Sequence, residues 1–226
     1  MSDFPLVFKG GTYLWFFSGL NRFSEDLDFT MDGKVSNDIS ETVSRRLELY
    51  GVENETKNIS DNHLGYSFRI RASGPLHTSD KDKCTVKVEI SGREKVLLER
   101  IRIRVDFPEY QLPVHRMLGM SLQEVGSEKI RAILTRKKAR DIYDLYHLVT
   151  MKEIGFNLEL TNEKLRYYHR TFSAHEFIDQ LESRENQFTG ELRGTVFGEL
   201  PKYFEVIEAL KRWIYGPTIG GKESGA

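Results

Sequence analysis

The chain has 226 residues, 39% of them hydrophobic, and a formal charge of −1 at neutral pH, which is enough for one large globular domain or two small ones. That charge excludes a global pull on polyanions, so any nucleic acid must meet a local basic patch. The single Cys84 excludes a disulfide framework and a cysteine-rich zinc site, and no apolar run approaches the roughly 20 residues of a membrane helix.

Residues 5–8 form a short apolar run that reads as a strand and ends at Gly10-Gly11. Thr12 is placed to cap a helix predicted over 13–20, whose aromatics Tyr13, Trp15, Phe16 and Phe17 are expected in the core. Asn21-Arg22-Phe23 connects this helix to an acidic strand, Ser24-Glu25-Asp26-Leu27-Asp28-Phe29, which closes in a turn at Asp32-Gly33. Residues 38–51 carry Ile39, Val43, Leu47 and Tyr50 at helical spacing, with Gly51 as the stop.

The period then changes to two. Tyr66, Phe68 and Ile70 alternate with polar residues, as do Cys84, Val86, Val88 and Ile90, and Ile101, Ile103 and Val105. These are strands with one buried face, on which Cys84 reads as a small core residue. Residues 112–120 suggest a further strand, which Pro113 places at a sheet edge.

From Ser121 the pattern is helical. Ser121 with Glu124, and Ser173 with Glu176, match capping boxes. Further helices are predicted over 139–151 and 201–215, the last with Pro201 in its first turn. The expected organisation is α+β: a mixed-sheet domain with flanking helices over 1–120, a helical domain over 121–215, and a loose tail over 216–226. With Asp3 near the start, the chain lacks the basic opening of a signal peptide, and a cytoplasmic location without membrane contact is expected.

Chemistry concentrates in the acidic strand. Leu27 and Phe29 take one face, so Asp26 and Asp28 share the other. Two such carboxylates repel unless a cation sits between them, and hard oxygen ligands suit Mg²⁺ or Mn²⁺. A glycine pair at a strand-to-helix junction lets a phosphate approach backbone N–H groups. Together these are tools of phosphoryl transfer.

A third carboxylate is expected on a neighbouring strand. Glu89 faces away from the buried side of its strand, and Asp106 is the rival. Lys129 could meet a triphosphate or be a surface lysine; Asp141 could orient it or only complement a helix dipole. Arg69/Arg71, Arg100/Arg102/Arg104 and the cations between Arg136 and Arg140 could follow an RNA backbone or be solvated faces. His147, His169 and His175 lack metal-ligand spacing.

Five ordered blocks carry a resemblance. Phe8-Lys9-Gly10-Gly11-Thr12 comes first, then Arg22-Phe23-Ser24-Glu25-Asp26-Leu27-Asp28-Phe29, then Lys87-Val88-Glu89-Ile90. Ser127-Glu128-Lys129-Ile130-Arg131-Ala132 and Arg140-Asp141-Ile142-Tyr143-Asp144-Leu145 follow. Together they resemble the AbiEii/AbiGii toxin family of the nucleotidyltransferase superfamily. The resemblance implies that Gly10, Gly11, Thr12 and Ser24 hold nucleotide phosphates, that Asp26 and Asp28 bind Mg²⁺, that Lys129 contacts the nucleotide and that Asp141 completes the site. It also implies a toxin of a toxin–antitoxin or abortive-infection system, with an NTP as donor, a tRNA 3′ end or other RNA as acceptor, and a cognate antitoxin as partner. Glu89 stands where the family commonly has Asp. A different class of function, a nucleotide or RNA binder acting by sequestration, rests on the arginine-bearing strands.

Overall fold

The computed structural model describes residues 4–36, 38–62, 64–74 and 76–216; all of the expected tail beyond Gly216 lies outside them. The chain divides into two units. One takes residues up to Tyr13 together with Ser24–Met120, and the other takes Leu14–Phe23 with the residues from Ser121 onward.

The first unit is built on seven strands: β1 (Leu6–Lys9), β2 (Leu27–Met31), β3 (Asn54–Asn62), β4 (Gly65–Ala72), β5 (Cys84–Ser91), β6 (Ile101–Val105) and β7 (His115–Gly119). They form one mixed sheet in the order β3-β4-β5-β2-β1-β7-β6. β1 runs antiparallel to β2 and parallel to β7, and β2 runs parallel to β5. One face is apolar along its whole centre. Phe8 lies opposite Phe29, Phe29 opposite Ile90, and Val88 opposite Phe68, all of them buried. The rings of Phe8 and Phe29 stack at 4.9 Å. Each such side chain removed from water contributes about 1.5–3 kcal/mol, so the two-residue alternation settles which face turns inward.

The helices are α1 (Gly10–Ser18) and α2 (Ile39–Leu49), then α3 (Leu122–Thr135), α4 (Ala139–Met151), α5 (Leu158–Arg166), α6 (Ala174–Glu182), α7 (Glu185–Leu192) and α8 (Tyr203–Tyr215). In the second unit α3 packs on α4, α5 and α6, and α4 packs on α7 and α8. Both predicted capping boxes form at their serine: Ser121 Oγ accepts from Glu124 N at 3.2 Å, and Ser173 Oγ from Glu176 N at 3.4 Å. No described helix is long and apolar enough to cross a membrane.

Several expectations change. β3 was not legible, because Asn-Glu-Thr-Lys-Asn-Ile-Ser-Asp-Asn has no apolar alternation; it is an edge strand that pairs only with β4 and is mostly exposed. β7 is interior, between β1 and β6, and Pro113 precedes it and breaks no ladder bond. Cys84 is exposed, since it opens β5 beyond the covered part of the sheet. Of the helix aromatics only Tyr13 is buried; Trp15 and Phe17 are half-buried and Phe16 is exposed. α1 begins at Gly10, so Thr12 lies inside the helix and is not its cap.

Within the first unit, Tyr13 Oη donates to the Met120 carbonyl at 2.8 Å, and burial pushes the phenol up to about 12. Tyr13→Phe keeps the ring and orphans a buried acceptor. The expected loss is about 1–3 kcal/mol, read as a lower urea midpoint at unchanged m-value.

Candidate active site

Five of the expected site residues, Gly10, Gly11, Thr12, Asp26 and Asp28, lie at the junction of β1, α1 and β2. The chain leaves β1 and enters α1 at Gly10, whose φ of +79° is in the left-handed region. A side chain there would be doubly obstructed, because its Cβ would lie 2.8 Å from Asp28 Cβ and overlap the Asp28 carboxylate. The bare Cα therefore lets Asp28 come up against the first turn of the helix, where backbone N–H groups have no intrahelical partners. Thr12 ties the same turn to the other aspartate: its Oγ1 donates to the Asp26 carbonyl at 2.5 Å. Gly11 is buried beside it, and Ser24 is half-buried in the segment before β2.

β2 begins at Leu27, so Asp28 is in the strand and Asp26 directly precedes it. Register puts Asp28 abreast of Lys9 on β1 and of Glu89 on β5, and Glu89 abreast of Ser67 on β4. Residues paired in this way project from the same face. Lys9, Asp28, Glu89 and Ser67 thus form one row on the face opposite the apolar core. Sheet order separates the two rivals for third carboxylate: Glu89 is next to Asp28, while Asp106 follows the edge strand β6 and pairs with Arg104. Glu89 accepts a hydrogen bond from Lys87. Among the described residues no three His, Cys, Asp or Glu side chains are grouped so that they could hold a metal ion, so Asp26, Asp28 and Glu89 are not gathered as expected. The donor chemistry is nevertheless that of a hard divalent ion, and Gly10 leaves the Asp28 carboxylate room at a helix start.

Lys129 and Asp141 belong to the second unit, and neither is a surface residue. Lys129 Nζ contacts Asp141 Oδ1 at 3.0 Å and Asp144 Oδ2 at 2.6 Å. Asp144 also takes a two-pronged contact from Arg22, Nε to Oδ1 at 2.6 Å and Nη2 to Oδ2 at 2.8 Å. Arg136 holds Asp141 from the other side at 2.8 and 2.9 Å. Three cations and two carboxylates form one chain of contacts, and all but Arg136 are buried.

Burial alone would raise the Asp141 carboxyl. The Lys129 ammonium and the Arg136 guanidinium outweigh it and hold the group well below the ordinary carboxylate range. Asp144 is likewise pushed up by desolvation and drawn further down by Lys129 and Arg22. Both aspartates are therefore ionised, and Lys129 is a fixed positive charge between them. The roles of Arg22 and Asp144 escaped the sequence reading, since 122 positions separate them. A second buried network, Lys164 with Glu124 at 2.5 Å and Glu128 at 3.3 Å, was also unforeseen.

A family model described as nucleotidyl transferase AbiEii toxin, type IV toxin–antitoxin system, matches residues 3–210. No curated protein matches the sequence significantly. Among solved structures, JHP933 from Helicobacter pylori superposes with a TM-score of 0.61 at 24% identity, over 93% of this chain and 82% of that one. MenT4, a nucleotidyltransferase toxin from Mycobacterium tuberculosis, superposes with a TM-score of 0.64 at 18% identity, over 93% of this chain and 74% of that one. At these identities the two structures establish a shared fold.

The buried charges set a pH dependence. Both aspartates have lowered folded pKa values, so their stabilisation is fully present above the ordinary carboxylate range and is lost as pH falls from about 4 toward the folded values. Asp144→Asn leaves Arg22 and Lys129 buried with one anion fewer. A loss of about 3–5 kcal/mol at neutral pH is expected, with a flatter acid limb in denaturant titrations taken from pH 7 to pH 3.

Proposed function

The chain belongs to the nucleotidyl transferase AbiEii toxin family, and on that premise we propose that it moves a nucleotidyl group from an NTP to the 3′ hydroxyl of a tRNA in a reaction dependent on Mg²⁺ or Mn²⁺. The observation that carries this reading is the approach of Asp28 to the bare Cα of Gly10, which sets a carboxylate beside a helix start. Asp26 and Asp28 are the proposed ligands of the divalent ion, and Glu89 joins them once it exchanges its contact with Lys87. When bound, the ion neutralises phosphate charge and lowers the pKa of the acceptor hydroxyl.

The chain's own groups position the donor. The first turn of α1, from Gly10 to Thr12, is the proposed cradle for a donor phosphate, since N–H groups at a helix start have no intrahelical partners and Gly10 and Gly11 bring no side chain there. Ser24 is a further proposed phosphate contact. Lys129, held by Asp141 and Asp144, supplies a positive charge that cannot swing away, and is the proposed triphosphate contact. In the reaction the acceptor oxygen bonds to the α-phosphorus as the bond to the bridging oxygen breaks. Pyrophosphate leaves and the hydroxyl proton passes to solvent. The expected protein partner is a cognate antitoxin, as for a family of type IV toxin–antitoxin systems.

Incubation of the protein with labelled NTPs, total RNA and Mg²⁺ tests the proposal. Labelled RNA is expected, and the Asp26→Asn, Asp28→Asn double variant should lower its rate by on the order of 10²-fold or more. Equal labelling by that variant, or labelling that survives EDTA, overturns the reading. Gly10→Ala leaves every carboxylate in the chain but displaces Asp28; it is expected to weaken Mg²⁺-dependent nucleotide binding in a calorimetric titration.

A further inference from the structure

The row formed by Asp28, Glu89 and Ser67 has a neighbour two residues away along the strands. Lys57 on β3 pairs with Arg69 on β4, and Arg69 pairs with Lys87 on β5. Since Glu89 and Lys87 are two apart on β5, both rows project from the same face. Leu27 pairs with Val88, which brings Asp26 level with Lys87 at the end of the cationic row. Three cations thus stand abreast on adjacent strands, about 4.8 Å apart in backbone spacing and about 7 Å from the acidic row.

Like charges directly opposite one another in a sheet are destabilising, and a sheet tolerates them where an anion or solvent absorbs the repulsion. Lys57 and Arg69 are exposed and, among the described residues, have no carboxylate partner, while Lys87 reaches only Glu89. The flanking rows differ. Arg71 is neutralised by Glu55 and Asp80. On the other arginine-bearing strand and its approach, Arg100 is tied to Asp32 and Arg104 to Asp106. Arg136 is committed to Asp141. Of the basic groups legible in the sequence, Arg69 and Arg102 each combine an exposed charge, without a carboxylate partner among the described residues, with the face carrying Asp28 and Glu89; Arg69 is the one whose strand adjoins β5, where Glu89 sits, while Arg102 is on the edge strand β6.

We propose that Lys57, Arg69 and Lys87 form a track for the phosphodiester backbone of a single-stranded RNA acceptor, leading from the β3 edge of the sheet to the carboxylates. This rests on the nucleotidyltransferase reading in that the hydroxyl end of the strand is delivered to Asp26, Asp28 and Glu89. Phosphates contact the row as point charges, so the track orients the strand without reading its bases.

Equilibrium binding of a fluorescein-labelled, unstructured single-stranded RNA, measured across a salt series without NTP, tests the track separately from turnover. Lys57→Gln with Arg69→Gln is expected to weaken binding and to reduce the slope of log K against log salt by about 1.4, at roughly 0.7 per lost phosphate contact. The charge-keeping pair Lys57→Arg, Arg69→Lys should retain the wild-type slope. Arg45→Gln with Arg46→Gln, which removes the same charge from exposed positions on α2, should also retain it. An unchanged slope in the first variant, or an equal fall in the α2 variant, overturns the track. RNA labelling lost while the slope effect persists overturns the catalytic reading and leaves the track standing; the reverse result does the opposite.

Discussion

Close approach of the Asp28 carboxylate to the Cα of Gly10 is the constraint on which the first unit's site depends. It needs three things at once. The backbone must turn through positive φ to pass from β1 into α1, position 10 must lack a Cβ, and β2 must pair with β1 in the register that sets Asp28 opposite Lys9. A one-residue slip of β2 would send both aspartates to the apolar face, where Phe8, Phe29 and Ile90 exclude charge. The apolar alternation that builds the core therefore also aims the carboxylates. Stability and site geometry are set by one pairing.

The helical unit solves a different electrostatic problem. Two fully buried aspartates would be costly if isolated, and a buried lysine between them would be costly without them. Linked with Arg22 and Arg136, the five groups carry one net positive charge. A surface lysine meets a phosphate at the cost of ordering a flexible side chain. Lys129 is already ordered, held in place by its contacts with Asp141 and Asp144.

The sheet face carrying Asp28 is electrically divided. One row presents Asp28 and Glu89, and the next presents Lys57, Arg69 and Lys87. The contact between Lys87 and Glu89 is where the rows meet. A chain with almost no net charge can thus carry rows of both signs, because local arrangement and not overall charge sets the field at a surface.

Local sequence was sufficient for whatever depends on neighbours along the chain. The two-residue alternation of β4 and β5, the serine caps of α3 and α6, and the span of α4 all follow from short-range sterics and burial. Tertiary structure decided what depends on residues far apart. It made the polar β3 a strand by giving it β4 as a partner, and put β7 inside the sheet despite Pro113. It set Glu89 beside Asp28 and Asp106 at a distant edge, and it buried Lys129 by joining Asp144 to Arg22. Strand order and long-range ion pairs are properties of which surfaces meet, and a linear pattern records only which surfaces exist.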